Sequence, residues 1–124
     1  MTVYMEAGGE PHVGKLGVAY VIVNRATQWH LSIPDVCFNR YQFSCWNTGS
    51  LTRMQLDRIV PEVWDACVTM SHGAISGTVP DPTFGATHYL NIELTKKIRG
   101  GTLPPWFRED RITTVLGQHT FLKL

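Results

Sequence analysis

Between Pro11 and Ala26 the chain carries Val13, Leu16, Ala19, Ile22 and Val23, an apolar content too dense for the single stripe of a surface helix. Such a segment predicts a helix buried on most sides, around which everything else must pack. With 124 residues, 44% of them hydrophobic, the chain can bury that helix in one core without staples. Directly before it stands Glu6-Ala7-Gly8-Gly9-Glu10-Pro11, with Tyr4 and Met5 ahead of Glu6. An acid in aromatic and aliphatic surroundings loses hydration, which disfavours its charged form and equips it to donate a proton. The Gly pair lets the backbone turn away and opens space beside the carboxylate. The plainer reading of the same residues is an ordinary helix end.

The remaining punctuation predicts mostly helix with a minor sheet. Residues 2 to 7 read as the end of a short helix, and Ser32 as the cap of a short turn through Cys37. Ser50 or Thr52 can cap the next helix, which Pro61 must interrupt or restart because proline has no amide hydrogen. The second piece is expected from Pro61 to His72, ended by Gly73, with loop from Gly77 to Gly85. Thr87 to Leu90 is β-prone, and Ile112 to Leu116 with His119 to Leu122 reads as a hairpin turning at Gly117-Gln118. No repeat, linker or low-complexity run divides residues 1–124, which predicts one domain.

Charge and cysteine usage exclude several function classes. A net charge of +1 offers no field for gripping nucleic acid. Lys96, Lys97 and Arg99 form the one basic cluster, read as a solvated face, with an anionic wall polymer as its sharper alternative. No stretch approaches the roughly 20 apolar residues needed to cross a bilayer, so no membrane insertion is expected, and the start lacks the order of a signal peptide. Cys37, Cys45 and Cys67 are an odd set without short paired spacing, which argues against a disulfide framework and a zinc site. They read as buried thiols, with a Cys37 to Cys45 bridge as the alternative in an oxidising compartment. No cofactor or metal is expected.

Glu6-Ala7-Gly8-Gly9-Glu10-Pro11, then Gly14, Gly17-Val18-Ala19, Val21 and Val23-Asn24-Arg25, resembles the opening motif of the spore cortex-lytic enzyme family of cell-wall hydrolases. Three later blocks agree in order: Tyr41-Gln42-Phe43-Ser44 with Trp46; Asp81-Pro82-Thr83 with Gly85-Ala86-Thr87-His88-Tyr89 and Asn91; and Pro105-Trp106 with Gly117, His119 and Phe121. The resemblance spans nearly the whole chain. It implies an α+β, mostly helical, lysozyme-like domain of two lobes, with the substrate groove between them and a small antiparallel sheet. It also implies a peptidoglycan-cleaving catalytic domain whose partner is the glycan strand, acting as a monomer. Lacking a signal, such a domain looks like a phage endolysin, made in the host cytoplasm and acting on the wall in the periplasm or outside.

Glycosidic cleavage needs an acid within hydrogen-bond reach of the bridging oxygen, and Glu6 is the candidate. Ordinary glycosidases add a second carboxylate roughly 5 to 9 Å away, for which Asp35, Asp81 and Glu10 are the options. Glu10 reads more readily as closing the turn before Pro11, and Asp81 serves a loop turn as well as it would serve catalysis. The resemblance implies a lytic transglycosylase, in which the muramic acid 6-hydroxyl attacks its own anomeric carbon and one Glu acts first as acid, then as base. Hydrolysis of the muramidase type is the alternative, and a noncatalytic glycan-binding protein of the same fold a further one.

Gln42, Phe43, Ser44 and Trp46 suit sugar rings and acetamido arms, although Phe43 and Trp46 serve equally as core. Thr87, His88, Tyr89 and Asn91 are expected on the opposite wall, with His88 a structural histidine in the plainer reading. A cysteine nucleophile paired with His88 or His119 lacks any local activating signature. The chain departs from the family pattern at Gly8, where a basic residue is frequent, at Phe84, where a second glycine is common, and at Leu90, which replaces an aromatic. None of these removes the proposed acid, and substrate preference is what they put in question.

Overall fold

The structure, a computed structural model, describes residues 1–39, 43, 46 and 58–124. It opens with helices α1 (Thr2–Ala7) and α2 (His12–Trp29), joined by the turn that carries Gly8, Gly9 and Glu10. The expected central helix forms, with Leu16, Val18, Ala19, Tyr20, Val21 and Ile22 all in the core. It runs past the expected end at Ala26 because Thr27, Gln28 and Trp29 carry no stop signal. His30 closes it in the left-handed region, its N–H on the Ala26 carbonyl. Histidine tolerates that conformation better than most side chains, but it does not announce a helix end as glycine does.

Helix α3 (Ile33–Phe38) is capped as expected, the Asp35 N–H donating to Ser32 Oγ at 3.1 Å. The Ser50 or Thr52 cap lies outside the described residues. Helix α4 begins at Pro61 as anticipated but continues to Ser76, through Gly73 rather than ending there. A side chain at Gly73 would sit 2.7 Å from Val79 Cγ2, so this glycine serves a close approach. It lets the following strand of loop fold back onto α4, where the Val79 carbonyl accepts from the Tyr20 hydroxyl of α2. Gly77, at φ 70°, is the actual cap. Helix α4 packs chiefly on α2.

After the loop come β1 (His88–Leu90), α5 (Ile92–Ile98), a 3₁₀ turn at Glu109–Arg111, β2 (Ile112–Leu116) and β3 (His119–Leu122). Helix α5 was not foreseen: none of its residues is buried, so it has no apolar period to read. It is defined instead by its ends, with Asn91 capping and Lys96 and Lys97 in the last turn, where cations suit the helix dipole. The hairpin forms in the expected register, Leu116 opposite His119. The sheet order is β1-β3-β2, antiparallel throughout, with β3 central and all four of its residues buried. Phe121 joins sheet to core: its ring lies over Gly17 of α2, where an added Cβ would come within 2.7 Å. The mostly helical class with a small antiparallel sheet is therefore the one observed.

Candidate active site

Glu6 lies in the last turn of α1, whose Val3 and Ala7 are buried against the core. Its Oε2 accepts a hydrogen bond of 3.0 Å from the Tyr89 hydroxyl, 83 residues away in the chain. Its Oε1 is shielded from solvent and has no hydrogen-bond partner among the described residues. Tyr89 reaches Glu6 because strand alternation sends it to one face of β1 and His88 to the other. On the Tyr89 face, its ring packs 4.8 Å from His119 and 5.8 Å from Phe121, both on β3.

Behind this pair stands Arg25, only 5% exposed. Its guanidinium is 5.2 Å from the Phe43 ring centre and 5.3 Å from that of Trp29, and its Nε donates to the Thr87 carbonyl at 2.6 Å. Burial pulls the guanidinium below its ordinary pKa, while the charges of Tyr89 and Glu6 oppose that shift. Sequence reading quoted Arg25 only as the end of a motif. The signal was nevertheless present, since a charge on a helix buried all round requires partners.

Glu10 does not close its own turn through its side chain. Its carboxylate reaches the β2–β3 turn, accepting from the Gln118 N–H at 3.2 and 3.3 Å and lying 3.7 Å from His119 Nε2. The Glu10 carbonyl takes the buried Lys15 ammonium. Asp81 is likewise fully engaged: Oδ1 accepts from the Thr83 N–H and hydroxyl at 2.8 and 2.7 Å, and Oδ2 from Asn24 and the Gly85 N–H at 3.0 and 3.1 Å. Asp35 is exposed in the first turn of α3.

Burial alone would raise the Asp81 pKa, but the hydrogen bonds from Thr83, Asn24 and Gly85 outweigh it and hold the carboxylate below its ordinary 3.8. A lowered acid adds stability that is complete above the unfolded value and is lost as pH falls through the folded one. Asp81→Asn, whose amide cannot accept from all these donors, should therefore destabilise the fold by about 1–3 kcal/mol at neutral pH. Melts taken across pH should show the gap to the parent closing below 3.8. A gap independent of pH would show that the charge contributes nothing to the loop.

Of the residues expected to touch substrate, Tyr89 is the one brought against Glu6. Phe43 and Thr87, 2% and 1% exposed, are sealed in, the first flanking Arg25 and the second bound through its carbonyl to Arg25 and through its hydroxyl to the Leu124 N–H. His88 faces away, between Trp106 at 5.0 Å and Trp29 at 6.4 Å, with Nδ1 3.0 Å from the Thr87 hydroxyl. Burial, reinforced by Arg25, lowers its pKa to about 4, so the ring is neutral at ordinary pH. Trp46 donates its indole N–H to Thr2 Oγ1 at 2.9 Å and borders an apolar cleft of about 320 Å³ with Ile33, Cys37 and Phe38. Asn91 spends its Oδ1 on the Leu94 N–H as the cap of α5, at the edge of a cavity of about 940 Å³ that Lys96, Lys97 and Gln118 also line. Gln42, Ser44 and Cys45 lie outside the described residues. Cys37 and Cys67 are free thiols, and burial pushes the Cys67 thiol up against the pull of Lys15 and the N-terminus, which leaves it a poor nucleophile. Among the described residues no three His, Cys, Asp or Glu are placed to hold a metal ion.

The sequence pattern of the family described as Cell Wall Hydrolase matches residues 9–122, a stretch that begins just after Glu6. The catalytic domain of the germination-specific lytic transglycosylase SleB from Bacillus anthracis superposes with a TM-score of 0.68 at 27% identity, over 98% of this chain and 88% of that one. The catalytic domain of the Bacillus cereus SleB protein gives a TM-score of 0.65 at 24% identity, over 98% and 84%. No curated protein matches the chain.

Proposed function

This chain belongs to the cell wall hydrolase family, and from that premise we propose that it cuts peptidoglycan between N-acetylmuramic acid and N-acetylglucosamine as a lytic transglycosylase, with Glu6 as both acid and base. That it degrades peptidoglycan follows from the family and from its likeness to the SleB lytic transglycosylase domain. The observation that carries the finer reading is the state of the Glu6 carboxyl, one oxygen on the Tyr89 hydroxyl and the other without a partner among the described residues. In the first step Glu6 gives its proton to the bridging oxygen, and the bond from that oxygen to the anomeric carbon breaks. The Tyr89 O–H then donates to the carboxylate left behind. The carboxylate then takes the proton of the muramic acid 6-hydroxyl as its oxygen bonds to the anomeric carbon, giving the 1,6-anhydro sugar and restoring the acid.

A single-carboxylate mechanism suits the site because the alternatives are committed elsewhere. Glu10 holds the hairpin turn, Asp81 holds its loop, and Asp35 is exposed on α3. Mass spectrometry of muropeptides released from purified peptidoglycan tests the reading. The expected products carry anhydro ends, each lighter by one water than its hydrolysed counterpart. Reducing ends alone would make the enzyme a hydrolytic muramidase, and separated stem peptides would make it an amidase.

A further inference from the structure

His119 belongs to the family motif but has no part in the mechanism above, and its surroundings are unusual for a structural histidine. It is 9% exposed, its ring lies against Tyr89, and its Nδ1 is buried without a hydrogen-bond partner among the described residues. Buried polar side-chain atoms are nearly always paired, and each exception costs about 1–3 kcal/mol. Glu6 Oε1 is the other such atom, and both residues touch Tyr89. Both orphan atoms therefore belong to residues that flank Tyr89.

The opposite ring nitrogen, Nε2, faces the Glu10 carboxylate at 3.7 Å. An ionised carboxylate only accepts, so the proton of a neutral ring belongs on Nε2, and Nδ1 is left as a bare lone pair. Among the described residues, the charged and titratable groups that face the ring are Glu10 from the α1–α2 turn, Glu6 from α1 and Tyr89 from β1, with Arg25 of α2 behind Tyr89. We infer that His119 is a positioning residue for Glu6 that acts through Tyr89: Glu10 fixes the imidazole, and the imidazole holds the Tyr89 ring whose hydroxyl donates to Glu6. Once the ring gains a second proton, the imidazolium places a positive charge beside Tyr89 and within electrostatic reach of Glu6, which favours its carboxylate over the acid that the first step needs. Burial, which works against the opposing pull of Glu10 and Glu6, lowers the His119 pKa below its ordinary 6.5 and so favours the neutral ring.

This inference rests on Glu6 being the acid, so Glu6→Gln is run alongside. His119→Gln retains an amide near Glu10 but has no titrating nitrogen. Initial rates on sonicated peptidoglycan across pH should fall about tenfold or more for His119→Gln at neutral pH, and the parent's decline on the acid side should flatten. Parental rates with an unchanged acid limb in a folded His119→Gln, while Glu6→Gln is dead, would overturn the inference and leave the Glu6 reading standing. An active Glu6→Gln would overturn both. If His119→Gln does not fold, imidazole nitrogen NMR of the parent decides: a bare Nδ1 with protonated Nε2 at neutral pH is expected, and protonated Nδ1 overturns the inference.

Discussion

Glu6→Gln should lose cleavage by about 10²- to 10⁴-fold, the usual cost of removing a general acid, while melting close to the parent. The amide keeps the size of the side chain, and its carbonyl can still accept the Tyr89 hydroxyl that now lies 3.0 Å from Oε2. Its NH₂ takes the place of the oxygen that has no partner among the described residues, so the fold has little to lose. Only the transferable proton is gone. Glu10→Gln is the matched control, because that carboxylate lies four residues on, in the α1–α2 turn, but holds the Gln118 N–H. A Gln there can keep one such bond and an oxygen facing His119, so turnover should fall far less than in Glu6→Gln, with about 1–2 kcal/mol of stability lost along with the charge. Initial rates for both variants on one peptidoglycan preparation, with melts beside them, separate the roles. A fully active Glu6→Gln, or a folded but dead Glu10→Gln beside a working Glu6→Gln, would mean that the acid is the wrong carboxylate.

What could be read from the sequence was whatever is decided locally. Gly117-Gln118 between two apolar runs fixes a hairpin because turn chemistry acts within a few residues, and Ser32 fixes a cap for the same reason. Gly73 misled because a glycine near a helix end has two physical uses. It looked like a stop, yet it makes room for Val79, a contact that needs the loop already folded back. The site divides in the same way. Glu6 was legible as a carboxylate beside a Gly turn and an apolar helix. Its pairing with Tyr89 was not: the motif put Tyr89 on the groove wall, and only the antiparallel register that sets Tyr89 opposite Phe121 aims its hydroxyl at Glu6. The motif left Phe43 between groove and core and assigned Thr87 to the groove, without saying why either is there. They are needed behind it: one flanks Arg25 and the other accepts its Nε–H, so their contribution is to hold a buried charge near Glu6 and Tyr89.

Phe121→Ala should be the most damaging single change to stability. The ring is fully buried, fills the space over Gly17, and backs both Tyr89 and His119. Truncating such a side chain costs about 3–5 kcal/mol, a large share of the 5–15 kcal/mol that holds a typical domain together. The expected fall in melting temperature is roughly 10–25 °C. Gly17→Ala attacks the same contact from the helix side, since its Cβ would meet Phe121 Cζ at 2.7 Å and Cε1 at 3.1 Å. Overpacking of that kind costs about 1–3 kcal/mol. The two changes share one space, so the double variant should lose clearly less than the sum of the singles: with the ring gone, the new methyl no longer strikes it, keeps only the milder approach to Leu116 Cδ1 at 3.2 Å, and fills part of the cavity. Strict additivity in a denaturant-melt cycle would show that Phe121 does not lie on Gly17, and that the sheet carrying Tyr89 and His119 is fixed to α2 by something other than this contact.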